Sequence, residues 1–421
     1  MQIVFIVLSI GMLLYMVGRK IDFFSIATVC TIIYNYYCAM GTVFIASHEK
    51  AGAYYYYSDI LPQVYFIVIA ELLILFAAMV IYDRRKPLEH IQPGYNEDVF
   101  SPEQQNKVFV IACIVSNLIL LTNVASIGLS NLRADKASVW GQTNTLYITG
   151  IWLGMACFAY ALNHKKPVLA ICALPPVLVH LFIGSRAYFA AIAIVFLVYV
   201  GKRMKASFKY NIRIYALGAL FLVAIMLYKK IWLDLKAGDM AAIGRTLSDP
   251  DTYAWVFRWG EPRIVLANLN YILDKGIRLD LGGFVTRIVS LIPFANDFIT
   301  SEYNIHMSTI LAEGMKSSYG LASNFWGECW AMGSYPFLFM VFIAWCWMLR
   351  IGNEMLYQKS WVSYFMTPLI AYLAFYIHRM DLVKVIGNGK MVVFAMILWF
   401  LFAGLLTRRW VFCLPIRRKE R

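Results

Sequence analysis

The sequence predicts an all-α, polytopic membrane protein with about eleven transmembrane helices and one large helical extracytoplasmic loop. Three observations predict it. Apolar and aromatic residues fill 61% of the 421 positions and charged residues only 15%, whereas a soluble domain is nearer half and a quarter. The apolar residues are gathered into runs of roughly membrane-spanning length. Between the runs, basic residues crowd alternate connections. The mean hydropathy of +0.64 excludes a soluble globule of this size and intrinsic disorder alike.

The predicted spans are, in order, 1–18, 22–46, 63–82, 108–127, 146–162, 168–183, 187–200, 214–232, 333–349, 361–377 and 391–407. The N-terminus lacks a basic leader region and a small-residue cleavage site, so 1–18 reads as a retained first helix. With the N-terminus outside and the C-terminus in the cytoplasm, the cytoplasmic segments hold 21 Lys and Arg and the short outer loops hold 7. This is the positive-inside bias. It accounts for most of the net charge of +14, and no nucleic-acid partner is expected. The chain divides into 1–228, eight helices with short loops; 229–332, the extracytoplasmic loop; and 333–421, three helices and a basic cytoplasmic tail. The eight cysteines lack metal-ligand spacing and mostly lie in apolar runs, so neither a metal site nor a disulfide framework is expected. No phosphate loop, dinucleotide fingerprint, HExxH or GxSxG occurs, and no cofactor is expected.

The loop 229–332 carries 11 acidic and 10 basic residues, a balance suited to a folded segment. Asp249-Pro250-Asp251 reads as a helix start, running to about Trp259. Pro262 restarts a helix with Val265, Leu266, Leu269, Ile272 and Leu273 on one face and Gly276 as its stop. Gly282, Gly283 and Pro293 punctuate the rest. The polar stretch 83–107, with Pro87, Pro93, Gly94 and Pro102, reads as a connector. The tyrosines at 54–57 read as an interfacial belt.

Four constellations bear on chemistry. Gly184-Ser185-Arg186 joins two short apolar runs. At 1.5 Å per residue those runs reach about 24 and 21 Å of a roughly 30 Å core, which sinks the hairpin tip below the surface. Ser185 is expected to cap the following helix, and Arg186 adds a permanent cation, a pairing suited to phosphate. The alternative is an arginine snorkelling to headgroups. Arg258 and Arg263, with Arg245 upstream and Arg287 downstream, could clamp a pyrophosphate near the bilayer or pair locally with acids such as Glu261. His306, the one histidine of the loop, is an acid/base candidate with Glu313 and Glu328 downstream, or a structural histidine. His180 either packs within its helix or faces the Arg186 pocket. Glu71 is the only acid deep in a spanning run, a position that is functional by default, yet unaccompanied it is a thin proton path. Finally, 323–334 leads from the loop into the ninth helix with small residues that permit close packing.

With these residues in place, the chain resembles the bacterial oligosaccharide repeat-unit polymerases, the Wzy-type O-antigen and capsule polymerases. The matching features are the hydropathy profile with one large late loop, the turn Phe182-Ile183-Gly184-Ser185-Arg186, and the aromatic, Gly and Glu lead from Asn324 to Gly333. Ala190 stands where some members carry Leu. The resemblance implies a glycosyltransferase C-like fold in the bacterial cytoplasmic membrane. It implies glycosyl transfer between undecaprenyl-pyrophosphate-linked oligosaccharides on the outer face, with membrane lipid around the chain and a chain-length regulator protein as a further partner. On that basis Arg186, Arg245, Arg258, Arg263, Arg287 and Ser185 would hold pyrophosphate, and His306, Glu261 or Glu328 would serve as acid or base. A flippase or transporter is the alternative from another class. An O-antigen ligase shares the architecture, and a scaffold or an acyltransferase completes the alternatives.

Overall fold

The computed structural model describes residues 1–47, 54–85, 100–128, 131–134, 136–204, 207–258, 260–289, 292, 306–315 and 322–407. Trp259, Pro293, residues 302–305, most of the 83–107 connector and the basic tail lie outside that description. The described chain is all-α apart from one hairpin. Its helices are α1 (Gln2–Val17), α2 (Phe23–Tyr34), α3 (Pro62–Arg84), α4 (Pro102–Ile127), α5 (Lys136–Gln142), α6 (Thr145–Asn163), α7 (Pro167–Cys172), α8 (Pro175–Phe182) and α9 (Ala187–Arg203). They continue with α10 (Phe208–Ala237), α11 (Met240–Ser248), α12 (Pro250–Arg258), α13 (Glu261–Asp274), α14 (Leu281–Val289), α15 (Met307–Gly314), α16 (Phe325–Tyr357), α17 (Trp361–Tyr376) and α18 (Leu382–Thr407). Among the described residues six of these, α3, α4, α6, α10, α16 and α18, are long and apolar enough to cross a membrane. The protein is membrane-embedded by that measure.

Helix α6 is the core of the bundle, packed against α4, α9, α17 and α18. Small residues let its neighbours approach. The Ser116 hydroxyl donates to the Gly150 carbonyl at 2.7 Å. A Cβ on Gly154 would lie 2.9 Å from that same hydroxyl. At one end of the bundle Arg19 pairs with both Asp22 and Asp83 at 2.7 Å. Asn353 joins this clamp, accepting from the Phe23 amide at 2.8 Å and donating to Asp22 at 2.9 Å.

The segment 22–46 departs from the predicted single span. Helix α2 ends at Tyr34, and β1 (Thr42–Ser47) pairs antiparallel with β2 (Tyr54–Asp59), Phe44 opposite Tyr57. Gly41 makes the break with φ +82°, and the β-branched and aromatic residues on each side favour a strand. The tyrosines at 54–57 therefore form half of a hairpin rather than a simple belt. The hairpin seats α13: Asn270 donates to the Tyr56 hydroxyl at 3.0 Å and accepts from the Leu61 amide at 2.9 Å.

A short helical stretch leads into the ninth predicted span: it begins at Phe325, where Asn324 caps it through the Gly327 amide at 2.9 Å. Helix α16 is kinked at Gly333 and Ser334, the latter at φ +58°. The carbonyls freed by the kink hold the loop: Arg278 donates to Trp330 O at 2.7 Å and the Leu279 amide to Ala331 O at 3.0 Å.

The break between α7 and α8 follows from Pro175 and Pro176, which offer no N–H to Ile171 and Cys172. The Leu174 amide takes up Ile171 O at 3.1 Å. Asn117 of α4 reaches across to Cys172 O at 2.9 Å. Replacing that donor strands a carbonyl in an apolar setting. Asn117→Leu should therefore cost about 1–3 kcal/mol, read as a lowered thermal unfolding midpoint of the purified protein.

Candidate functional site

The turn at 184–186 is held by α10. Gly184 sits at φ +108°, and a Cβ there would fall 2.7 Å from the Trp232 ring. Trp232 donates to Phe182 O at 2.8 Å, and the Tyr228 hydroxyl to Leu181 O at 2.9 Å. The clamp leaves Arg186 at the N-cap of α9. Ser185 does not cap that helix, contrary to the sequence expectation; the turn has moved the boundary one residue on, and Ser185 lines a cavity instead.

That cavity has a volume of about 410 Å³. Its walls are apolar, from α2 (Cys30, Ile33) and α10 (Leu222, Met226). Its polar end gathers Arg186, Glu261, Arg379 and Lys136. Glu261, the first residue of α13, pairs one carboxylate oxygen with Arg186 and the other with Arg379. Burial pushes this carboxyl up, but Arg379, Arg186 and Lys229 outweigh it and hold it at about 2. The low-dielectric surroundings, with Arg379 and Arg186 close by, push the Lys136 ammonium down to about 8. A carboxylate so deeply stabilised is a weak base. Its physical role is to orient two guanidiniums.

A second cluster lies two residues along the chain from Arg379. His306 caps α15 at the backbone level, with its side chain 41% exposed. Its Nδ1 lies 3.1 Å from Asp381 Oδ2. Asp381 is fully buried, and its other oxygen accepts from the Lys384 amide at 2.8 Å, capping α18. Burial raises the Asp381 carboxyl, but the His306 hydrogen bond and the Lys384 charge bring it below its ordinary value. Glu328, also fully buried, pairs with Arg287 Nε at 2.5 Å and accepts from the Leu382 amide at 2.6 Å.

A third group is wholly internal. Glu71 is not unaccompanied: His378 Nε2 stands 2.8 Å from its Oε1, and the Thr31 hydroxyl donates to the same oxygen at 3.1 Å. Both side chains of the pair are 1% exposed. Tyr34 stacks on the His378 ring at 5.2 Å.

The sequence-derived candidates thus separate. Ser185, Arg186 and Glu261 share the cavity. His306, Glu328 and Arg287 belong to the second cluster. Arg263 is buried beneath the hairpin with its guanidinium 4.5 Å from the Phe44 ring centre, outside the cavity lining. Arg245 is exposed on α11. Arg258 ends α12, and its side chain lies outside the described residues. His180 is fully buried among Tyr147, Trp140 and Tyr188, the packed alternative. Arg379, Lys136, Asp381 and His378 escaped sequence reasoning. The signal was there: three ionisable residues in His378-Arg379-Met380-Asp381 between two apolar runs are too dense for a plain outer loop.

The depressed Glu261 carboxyl makes a stability prediction with a definite sign. Its folded value, about 2, lies below its ordinary 4.5. Its contribution is therefore complete above about 4.5 and disappears as pH falls toward 2. Thermal unfolding of the wild type should weaken over that window by more than that of Glu261→Gln. At neutral pH, Glu261→Gln should cost up to about 3 kcal/mol, because two partly buried guanidiniums lose their counter-charge. Comparison with protein-family models, with curated proteins and with solved structures finds no match for this chain.

Proposed function

We propose that this protein is a membrane glycosyltransferase that polymerises undecaprenyl-pyrophosphate-linked oligosaccharide repeat units. One observation carries the reading: a single cavity joins apolar walls from α2 and α10 to an end where Arg186, Arg379 and Lys136 outnumber one acid. Such a site suits a ligand with an anionic head on an apolar tail. The reading takes the eleven-span topology, with 229–332 extracytoplasmic, and puts the chain in the bacterial cytoplasmic membrane.

In this reaction an acceptor hydroxyl attacks the anomeric carbon of the donor chain. The new C–O bond forms as the bond to the lipid pyrophosphate breaks, and the electron pair leaves with the phosphate. Arg186 and Arg379 stabilise that developing charge. The hydroxyl proton passes to His306 Nε2, with Asp381 holding the ring through Nδ1. This division of labour takes Glu261 and Glu328 out of the base role, since each already neutralises an arginine. Arg245 and Arg263 have no part in it. A ligase that uses the same donor would use the same groups.

One observation favours a second reading. The buried Glu71–His378 pair is the kind of intramembrane ionisable site that a proton-coupled flippase requires. The two readings separate in the glycan ladder of the native host. Loss of the gene should collapse surface polysaccharide to single repeat units and leave lipid-linked single units outside. Arg186→Ala and Arg379→Ala, expressed at normal level, should each cut polymer by about 10²–10³-fold, while Glu71→Gln should leave long chains. The polymerase reading fails if the arginine variants still make long polymer. Accumulation of lipid-linked units on the cytoplasmic face upon loss of the gene would identify a flippase. Chains that stay long but remain on the carrier would identify a ligase.

A further inference from the structure

A second cavity, about 790 Å³, opens between α4 and α7. Val110, Ile114, Leu118 and Leu121 form one wall, and Val168 and Cys172 the other. The opening is sideways: Leu118 is 53% exposed and Val168 73% exposed. It exists because α7 stops after six residues, where the proline pair offsets α8. The floor offers no donor to a ligand through Asn117, whose amide is spent on Cys113 O at 2.8 Å and Cys172 O at 2.9 Å. The occupant is therefore apolar along its length.

One end is different. Lys166 and Asn106 line it, hydrogen-bonded to each other. Lys202 lies in the same neighbourhood, donating to Asn163 at 3.1 Å, and Arg203 donates to Leu162 O. From Asn106 to Leu121 the α4 wall runs about 22 Å at 1.5 Å per residue. One leaflet of the hydrocarbon core is about 15 Å thick. The groove therefore accepts a whole acyl chain with its headgroup at the basic end.

We infer that this groove is a binding site for an anionic phospholipid of the surrounding bilayer, one acyl chain lying between α4 and α7 and the headgroup phosphate meeting Lys166. The site is separate from the arginine cavity, which lies beyond the far end of α8, and the inference stands whatever reaction that cavity performs. The lysine supplies selectivity for net negative headgroups, and the apolar walls supply retention.

The test uses the full-length protein, delipidated in detergent and titrated with phosphatidylglycerol or phosphatidylcholine, with bound lipid counted by native mass spectrometry. The wild type should retain one phosphatidylglycerol per chain, with a preference over phosphatidylcholine of about fivefold. Leu118→Trp and Val168→Trp, which fill the groove from opposite walls at exposed positions, should each lose the retained lipid. Lys166→Gln should keep a lipid but lose the headgroup preference. Unfolding midpoints close to wild type establish that each variant is folded. Equal retention of the two lipids by the wild type overturns the inference. So does undiminished retention by both tryptophan variants, or retention of a lipid-linked saccharide from the native membrane in preference to phospholipid.

Discussion

The turn at 377–382 has to satisfy four partners from four different elements at once, three of them buried carboxylates. His378 reaches Glu71 of α3, Arg379 reaches Glu261 of α13, Asp381 reaches His306 at the head of α15, and the Leu382 amide reaches Glu328 of α16. A buried charge left alone is far costlier than a pair. Each element is therefore fixed in register to the same six residues, and the two polar clusters keep a set separation because they are bolted to adjacent links of one chain. The turn is itself short of freedom, being a 3-10 turn between α17 and α18.

That arrangement explains why the sequence was easy to read in outline and hard to read at the site. Periodicity and hydropathy depend on local chain chemistry, so the apolar runs, the 184–186 hairpin and the helix restart at Pro262 are legible from their own residues. Charge pairing depends on residues far along the chain, from 41 positions for Arg287 and Glu328 to 307 for His378 and Glu71. Glu261 looks like the local partner of Arg258 or Arg263 in its own segment and is a bridging carboxylate only because α9 and the 377–382 turn arrive on either side. Arg379 looks like one more outer-loop cation until α13 supplies its partner. The shortened helix in 22–46 has a local cause. A run of apolar residues in 22–46 hides Asn35, which ends the helix, and Gly41, which turns the chain into the strand, and that strand needs a partner beyond residue 53 to declare itself.

The kink of α16 shows the same economy of backbone groups as the α7–α8 break. In each, a helix gives up hydrogen bonds within an apolar environment, and a side chain or loop amide from elsewhere takes the released carbonyl. Broken helices thereby become attachment points. At α16 the attached piece is the approach to α14, whose Arg287 completes the pair with Glu328. At α8 the break shortens the hairpin that carries Arg186.

The Glu261 carboxylate has a consequence for how the cavity meets an anion. The cations there are never bare, since the chain brings its own internal counter-ion. An anion entering the cavity would meet guanidiniums already aimed by Glu261, and would compete for them with a tethered carboxylate. Glu261 is also the first residue of α13, a helix anchored on the hairpin and on Asn324. Any displacement of that carboxylate would therefore be felt at the start of α13.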